Sequence, residues 1–280
     1  MGNGHNKPGH NIPRHDKPGQ AGPGQGGLDE IGGWRIDILV QGYPGKSVCH
    51  GALGWSTIAL LRGHGKVVLI DVGSFGQRQL VLDRLEANGL SPGDVTDVLL
   101  THSHWDHSVN WVMFPSARIL IGAEELAWSL QEPWGTTPVP ELYVRELAAS
   151  AQTLRIGAAE GILPKLSSHE APGHTPGHLV YLLEGREHDV IFTGDAAKNR
   201  AELLTRSADM TYDAALSGRS MENIWTLWNR KPGTILVPGH DLPMVLEQGE
   251  PNYLGTRRAA VSAWFGTGLE QTTLFEITVG

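Results

Sequence analysis

The chain has one cysteine, Cys49, in 280 residues. It therefore forms no internal disulfide and cannot build a Cys-rich zinc shell. Basic residues are also scarce: 22 lysines and arginines stand against 30 acidic residues, a net charge of −8. A nucleic-acid surface usually needs a basic stripe, so no nucleic-acid partner is expected. No apolar run approaches the roughly 20 residues of a membrane span, and the first residues lack the apolar centre of a secretory signal. No membrane partner is expected, and the expected location is cytoplasmic. No tandem repeat of roughly 20 to 50 residues is visible.

Apolar residues are nearly missing from the opening stretch, MGNGHNKPGHNIPRHDKPGQAGPGQGG. Gly, Pro, Asn and His bury too little surface to offset the entropy of ordering a chain. Residues 1–30 are accordingly expected to be a flexible tail, and 31–280 a single domain. His5, His10 and His15 recur at five-residue intervals in the tail, but a solvated low-complexity arm is preferred over a weak chelator.

From Trp34 the pattern changes. With 40% hydrophobic residues and nine tryptophans overall, the chain has material for a sizeable core. "WRIDILVQG", "WSTIALLRG" and "VVLIDVG" read as strands, the last two joined as a hairpin. "FGQRQLVLDRLEANGL" reads as a helix that buries Val81, Leu82 and Leu85, with Asn88-Gly89 as its C-cap. "DVTDVLL", "ARILIG", "HLVYLLEG", "HDVIFTGD", "TILVPGH" and "TTLFEITV" read as further strands. "AEELAWSLQ" and residues 213–228 read as helices, and 132–140 as a proline-rich loop. In the 213–228 helix, Met221, Ile224, Trp225 and Trp228 share one face. This alternation predicts an α/β domain of layered sheets and helices.

"THSHWDHSVN" follows directly on the strand "DVLL" and crowds His102, His104, Asp106 and His107 into six positions. Imidazoles and carboxylates at a strand end usually mean a metal. His102 and His104 lie two apart and can point the same way in extended chain. Three more such residues stand at strand ends or glycine turns: His174 in "APGHTPGH", Asp195 in "VIFTGDA" and His240 in "ILVPGHD". Glycine lets backbone approach an ion closely.

The order H-x-H-x-D-H, then H, D and H resembles the metallo-β-lactamase-fold hydrolase superfamily, over about residues 34–245. The resemblance implies an αββα sandwich of two mixed sheets between helix layers, with metals at one edge. It implies one ion on His102, His104 and His174, another on Asp106, His107 and His240, and Asp195 bridging. Asp71, in "VLIDVG", matches the family's acidic residue that orients a ligand from behind. Two zinc ions per chain are the expected cofactor, with iron or manganese as alternatives in the same ligand set. The implied reaction is attack of a metal-bridging hydroxide on a carbonyl or phosphoryl centre, with Asp106 holding or shuttling the proton. Neither Cys49 nor His50 is needed for this chemistry.

The departures narrow the choice. Val109 replaces the glycine with which many members continue the motif. His104 stands where the di-iron oxygen and nitric-oxide reductases carry glutamate, which leaves a mono-iron persulfide dioxygenase as the redox alternative. Asp195 stands where common class B β-lactamases have cysteine. After His240, 40 residues remain, too few for the helical domain of glyoxalase-II-type thioesterases. Lys198, three residues past Asp195, matches the offset of a carboxylate-binding lysine in class B β-lactamases and of a tyrosine in acyl-homoserine lactonases. It reads equally as a surface lysine at a helix start. Trp105, Trp111, Trp134 and Tyr212 are expected to wall an apolar pocket. The expected activity is hydrolysis of a small lactone, ester or amide, with an anionic group on the substrate if Lys198 anchors one. A phosphodiesterase or nuclease and a non-catalytic metal-binding protein are the other readings.

Overall fold

The computed structural model describes residues 28–47, 51–257 and 259–277. The tail to residue 27, with its three histidines, lies outside the described residues, as do Cys49 and His50. The first strand, Leu28–Ile31, straddles the expected domain boundary at residue 31 and pairs with Trp34–Val40.

Two seven-stranded sheets face each other. The first runs, in spatial order, Leu28–Ile31, Trp34–Val40, Ile58–Gly63, Lys66–Ile70, Asp97–Leu99, Arg118–Gly122 and Thr153–Ile156. The second runs Ala159–Leu163, Leu166–Glu170, Leu179–Leu183, Val190–Gly194, Ile235–Pro238, Met244–Glu247 and Glu250–Tyr253. Both are mixed. Lys66–Ile70, Asp97–Leu99, Arg118–Gly122 and Thr153–Ile156 are mutually parallel, as are Val190–Gly194 and Ile235–Pro238. Strands covered on both faces read as unbroken apolar runs, and Leu179–Leu183 and Val190–Gly194 are buried at every position.

Three apolar clusters hold the layers together. Trp34, Ile36, Leu61, Val68, Leu99, Tyr181, Phe192 and Val237 fill the space between the sheets. Helices Arg78–Ala87, Ala123–Ser129 and Glu141–Ala149 cover the first sheet through Val81, Leu85, Leu126, Val144 and Leu147. Helix Ala214–Trp228 covers the second through Met221, Ile224 and Trp228, and starts at Asp213, whose side chain accepts from Leu216 N–H. The result is the αββα sandwich.

Some expectations shift in detail. Leu82 is only half-buried, while Val81 and Leu85 carry the packing. Glu141–Ala149, which follows the 132–140 loop, was not anticipated. Trp111 sits in the core beneath the first sheet's helices, 8% exposed, and walls no pocket. Thr273–Glu276 is a strand, but it pairs with Ala260–Ala263 outside both large sheets. Among the described residues no helix is long and apolar enough to cross a membrane.

Candidate metal centre

The parallel strands end together. Lys66–Ile70 delivers Asp71, and Asp97–Leu99 leads to the 101–107 loop. Val190–Gly194 delivers Asp195, and Ile235–Pro238 leads through Gly239 to His240. Ligands in such sheets commonly bind beyond the strands' carboxyl ends. The 171–178 loop, ahead of Leu179–Leu183, brings His174 to the same edge.

Three groups of side chains have ligand atoms within 4.8 Å of one another: His102, His104 and His174; His102, His107 and Asp195; and Asp106, His107 and His240. His104 Nδ1 lies 2.9 Å from His174 Nε2, and His107 Nε2 lies 3.3 Å from His240 Nε2. Asp195 joins the groups. Its Oδ1 is 3.1 Å from His107 Nε2 and 3.2 Å from His240 Nε2, and its Oδ2 is 3.4 Å from His174 Nε2. Asp106 Oδ2 lies 3.3 Å from His240 Nε2 and 3.7 Å from His107 Nε2. All seven candidate ligands therefore share one cluster.

Hydrogen bonds behind the cluster set the tautomers. Asp71 takes a left-handed backbone (φ 55°), which Asp tolerates better than most residues. Its Oδ1 accepts Thr101 N–H and its Oδ2 accepts Thr101 Oγ1–H, both at 2.8 Å. The Thr101 hydroxyl proton being so committed, His102 Nδ1 donates to Thr101 Oγ1 at 3.1 Å. Asp71 Oδ2 also accepts from His107 Nδ1 at 2.8 Å. The Nε2 lone pairs of His102 and His107 are thereby left for the cluster, the usual arrangement behind a metal-binding imidazole. His102 Nε2 is buried with no hydrogen-bond partner, although buried nitrogens are normally satisfied.

The electrostatics divide the imidazoles. Burial holds His102 and His174 well below the ordinary histidine value and His104 down at about 4. These are neutral imidazoles at neutral pH that would need to lose no proton to bind a cation. Burial also opposes charge on His107 and His240, but the Asp195 and Asp106 carboxylates outweigh it. His107 is raised well above its ordinary value and His240 to about 9. Asp195 is in turn held well below the carboxylate range: burial works against its charge, and His240, His107 and His174 more than offset it. Two carboxylates thus hold positive charge at one side of a nest of neutral nitrogens, where a divalent cation would be stabilised in place of protons. The unpaired His102 Nε2 and the all-nitrogen-and-oxygen donor set fit zinc, and also other first-row divalent ions.

Residues that sequence reasoning passed over complete the site. His178, the second histidine of "APGHTPGH", is fully buried and stacks on His102 at 4.9 Å. Its Nε2 accepts the Asp195 N–H at 3.1 Å, and burial drives its pKa down to about 3. Its place in a glycine-rich repeat beside His174 was a usable signal. Asn110 donates to Val72 O and Ser74 O, tying the chain after the motif to the segment after Asp71, and Val109 is fully buried.

Glu125, on the helix after Arg118–Gly122, is fully buried. It accepts Ser103 N–H at 2.8 Å, Ser103 Oγ–H at 2.7 Å and Gly177 N–H at 3.2 Å, clamping the 101–107 loop to the 171–178 loop. An isolated glutamate in a helix gives no sequence signal for such a role. Glu125→Gln would turn an amide N–H₂ towards one of these buried donors. It is expected to cost about 1–3 kcal/mol in thermal unfolding of metal-free protein, and to weaken the second metal equivalent in a zinc titration. Unchanged melting and unchanged titration would refute the clamp.

Lys198 is not a free surface lysine. Its Nζ pairs with Glu202 Oε1 at 3.0 Å, with side chains 14% and 6% exposed, and its charge helps depress His104, His174 and His178. Trp105 and Tyr212 are exposed beside the candidate ligands: Trp105 lies between His104 and Asp106 in the chain, and Tyr212 N–H donates to His174 O at 3.3 Å. Trp128 packs edge-on between His104 (6.3 Å) and Tyr212 (5.6 Å). Trp134 is exposed and stacked under Arg145 at 4.5 Å. Its loop reaches the motif through Trp105 N–H donating to Pro138 O.

Residues 54–240 match the family model of the metallo-beta-lactamase superfamily. The chain belongs to this superfamily. Every candidate ligand from His102 to His240 falls within the matched metallo-beta-lactamase segment. Metallo-beta-lactamase domain-containing protein 1 of Rattus norvegicus is 29% identical over 178 residues, covering 63% of this chain and 62% of that protein. The match thus spans less than two thirds of the relative's length. A hydroxyacylglutathione hydrolase of Shewanella baltica (strain OS223) is 27% identical over 137 residues, 47% of this chain and 43% of that protein. Among solved structures, AidC, a dizinc quorum-quenching lactonase in complex with a product, superposes with a TM-score of 0.64 at 15% identity, over 81% of this chain and 96% of that one. At that identity the likeness is one of fold.

Proposed function

We propose that the protein is a dinuclear zinc hydrolase of a small lactone, ester or amide. The observation that carries this reading is Asp195, whose two carboxylate oxygens lie within 3.4 Å of ligand nitrogens in both outer triads. A purely structural zinc site is usually closed by four ligands, commonly cysteines. Here two incomplete triads share one carboxylate, and nothing in either resembles a closed shell. When bound, such ions supply Lewis acidity, lowering the pKa of water to about 7 and polarising a carbonyl.

The chain's own groups do the rest. Asp71 holds His102, through Thr101, and His107 in the tautomers that present Nε2. His178 holds the Asp195 backbone. Asp106, between His107 and His240 and less enclosed than Asp195, is placed to hold or pass the proton that a leaving group needs. Trp105, Trp128 and Tyr212 offer apolar surface beside His104 and His174, suited to an apolar part of the substrate. The lactonase with the same fold supports the reading, and the hydroxyacylglutathione hydrolase relative supports a thioester as a second class of bond to test.

The direct test is metal analysis of purified protein, followed by turnover of a panel of lactones, esters, thioesters, β-lactams and phosphodiesters with and without chelator. About two zinc ions per chain and chelator-sensitive turnover of a lactone, ester or amide are expected. Metal-replete protein that turns over only the phosphodiesters would overturn the reading.

Lys198 narrows the substrate. If the ammonium exchanges Glu202 for an anionic substrate group, Lys198→Ala raises KM more than it lowers kcat. The loss of one charge-assisted bond, about 1.5–3 kcal/mol, is roughly ten- to a hundredfold. An anionic substrate and its neutral counterpart separate the cases. Equal effects on both, mainly in kcat, would instead make Lys198 a donor to the developing oxyanion.

A further inference from the structure

A second concentration of exposed apolar side chains lies outside the metal centre. Ala260–Ala263 and Thr273–Glu276 form an antiparallel hairpin that joins neither seven-stranded sheet. Every residue of Thr273–Glu276 is exposed. Val261, Trp264, Phe265, Leu269, Leu274 and Phe275 are between 40% and 83% exposed. Val261 stands opposite Phe275 in the ladder, and Phe265 meets Phe275 edge-on at 6.0 Å. An isolated two-stranded hairpin is marginal in water, and its open edges are templates for pairing. Grouped exposed apolar side chains of this size usually mark an interaction site.

The root of the hairpin is fixed. Arg257 donates to Asp241, as does the Tyr253 hydroxyl at 2.9 Å. Asp241 is buried and also accepts Arg200 N–H at 3.1 Å. Asp241 follows His240 directly, so the arm is anchored on the edge that carries the metal loops.

We propose that this hairpin is a self-association arm, and that its occupant is the same hairpin of a second copy of this chain. Its six large apolar side chains expose on the order of 600–700 Å², close to the ~800 Å² per partner of a standard interface. The chain's own N-terminal segment has nothing to cover it with: apart from prolines, residues 1–27 hold only Met1, Ile12 and Ala21 as apolar side chains. From Ala260 to Ile277 the charged residues are Glu270 and Glu276, so no cationic stripe calls for an acidic partner. The surface asks for apolar side chains and open strand edges. A second copy related by a two-fold axis supplies both, and closed two-fold dimers are the commonest soluble assembly.

Sedimentation velocity of the full-length, metal-loaded chain tests this. The expected species at tens of micromolar has twice the monomer mass. Phe265→Glu and Leu269→Glu, at positions 74% and 83% exposed, are expected to give monomers with unchanged circular dichroism and metal content. Hydrogen exchange of the unmodified protein is a measure that depends on no variant: protection of residues 260–276 must rise with protein concentration. A monomeric wild type at tens of micromolar, a folded variant that stays dimeric, or hairpin protection independent of concentration would each overturn the proposal.

Discussion

Asp195→Ala is expected to abolish the retention of two metal ions and to lower turnover by more than about a thousandfold. The carboxylate touches His174 on one side and His107 and His240 on the other. His102 also lies within 4.8 Å of His107 as well as of His104 and His174, but it brings no negative charge. Without Asp195 the first triad is three neutral imidazoles with no anionic ligand, and the second keeps Asp106 alone. The charge on His107 and His240 also loses the carboxylate that does most to hold it. Asp195→Asn separates charge from volume. It fills the same space with a weak neutral donor, so it is expected to keep the fold and still lose the second ion. Elemental analysis after gel filtration gives the stoichiometry, and the turnover panel gives the rate. A variant that kept two ions per chain and activity within about threefold of wild type would end the bridging role.

Gly239→Ala should be nearly as damaging, though the residue holds no metal. Gly239 lies between the end of Ile235–Pro238 and His240. A Cβ there would overlap Asp195 Oδ1 and come within 2.7 Å of the Gly194 carbonyl carbon and oxygen. The neighbours that would have to yield are backbone and a candidate ligand, with no flexible side-chain end among them. Gly194 cannot easily give way: its own backbone is left-handed (φ 47°), and a Cβ on it would lie 2.5 Å from Thr101 Oγ1. Overpacking at such a point costs about 1–3 kcal/mol, roughly 2–5 °C of melting temperature at this chain length. Because the displaced atom is the shared carboxylate oxygen, metal stoichiometry should also fall. Gly76→Ala is the control, since its nearest neighbour would be 3.9 Å away. If Gly239→Ala melted and bound zinc like that control, the close approach would not matter.

Much of this was legible because two strong signals coincided. Strands buried on both faces must be continuously apolar, so "HLVYLL" and "VIFTG" announced themselves. Their ends carried histidine or aspartate, which apolar burial does not explain. Short strands with mixed exposure were harder. Thr153–Ile156 and Met244–Glu247 lie towards sheet margins, with half-exposed and exposed positions, and neither periodicity is distinct over four residues. Glu141–Ala149 was hidden by the proline-rich loop before it, which drew attention to the turn instead of to Val144 and Leu147.

The sequence by itself determined the types and order of the candidate ligands, the family, and which strands are interior. Those follow from local chemistry, since donor atoms and hydrophobic period are properties of short segments. Only the tertiary structure decided which imidazole nitrogens face the cluster, because that depends on Asp71 and Thr101 meeting across two parallel strands. It alone placed Asp195 against both triads, Trp111 in the core, Lys198 against Glu202 and His178 behind Asp195. It alone recruited Glu125 to clamp two loops that lie 22 and 52 positions from it, on opposite sides in the chain. Such contacts are set by register and layer packing over long sequence separations, and no short stretch of residues encodes them.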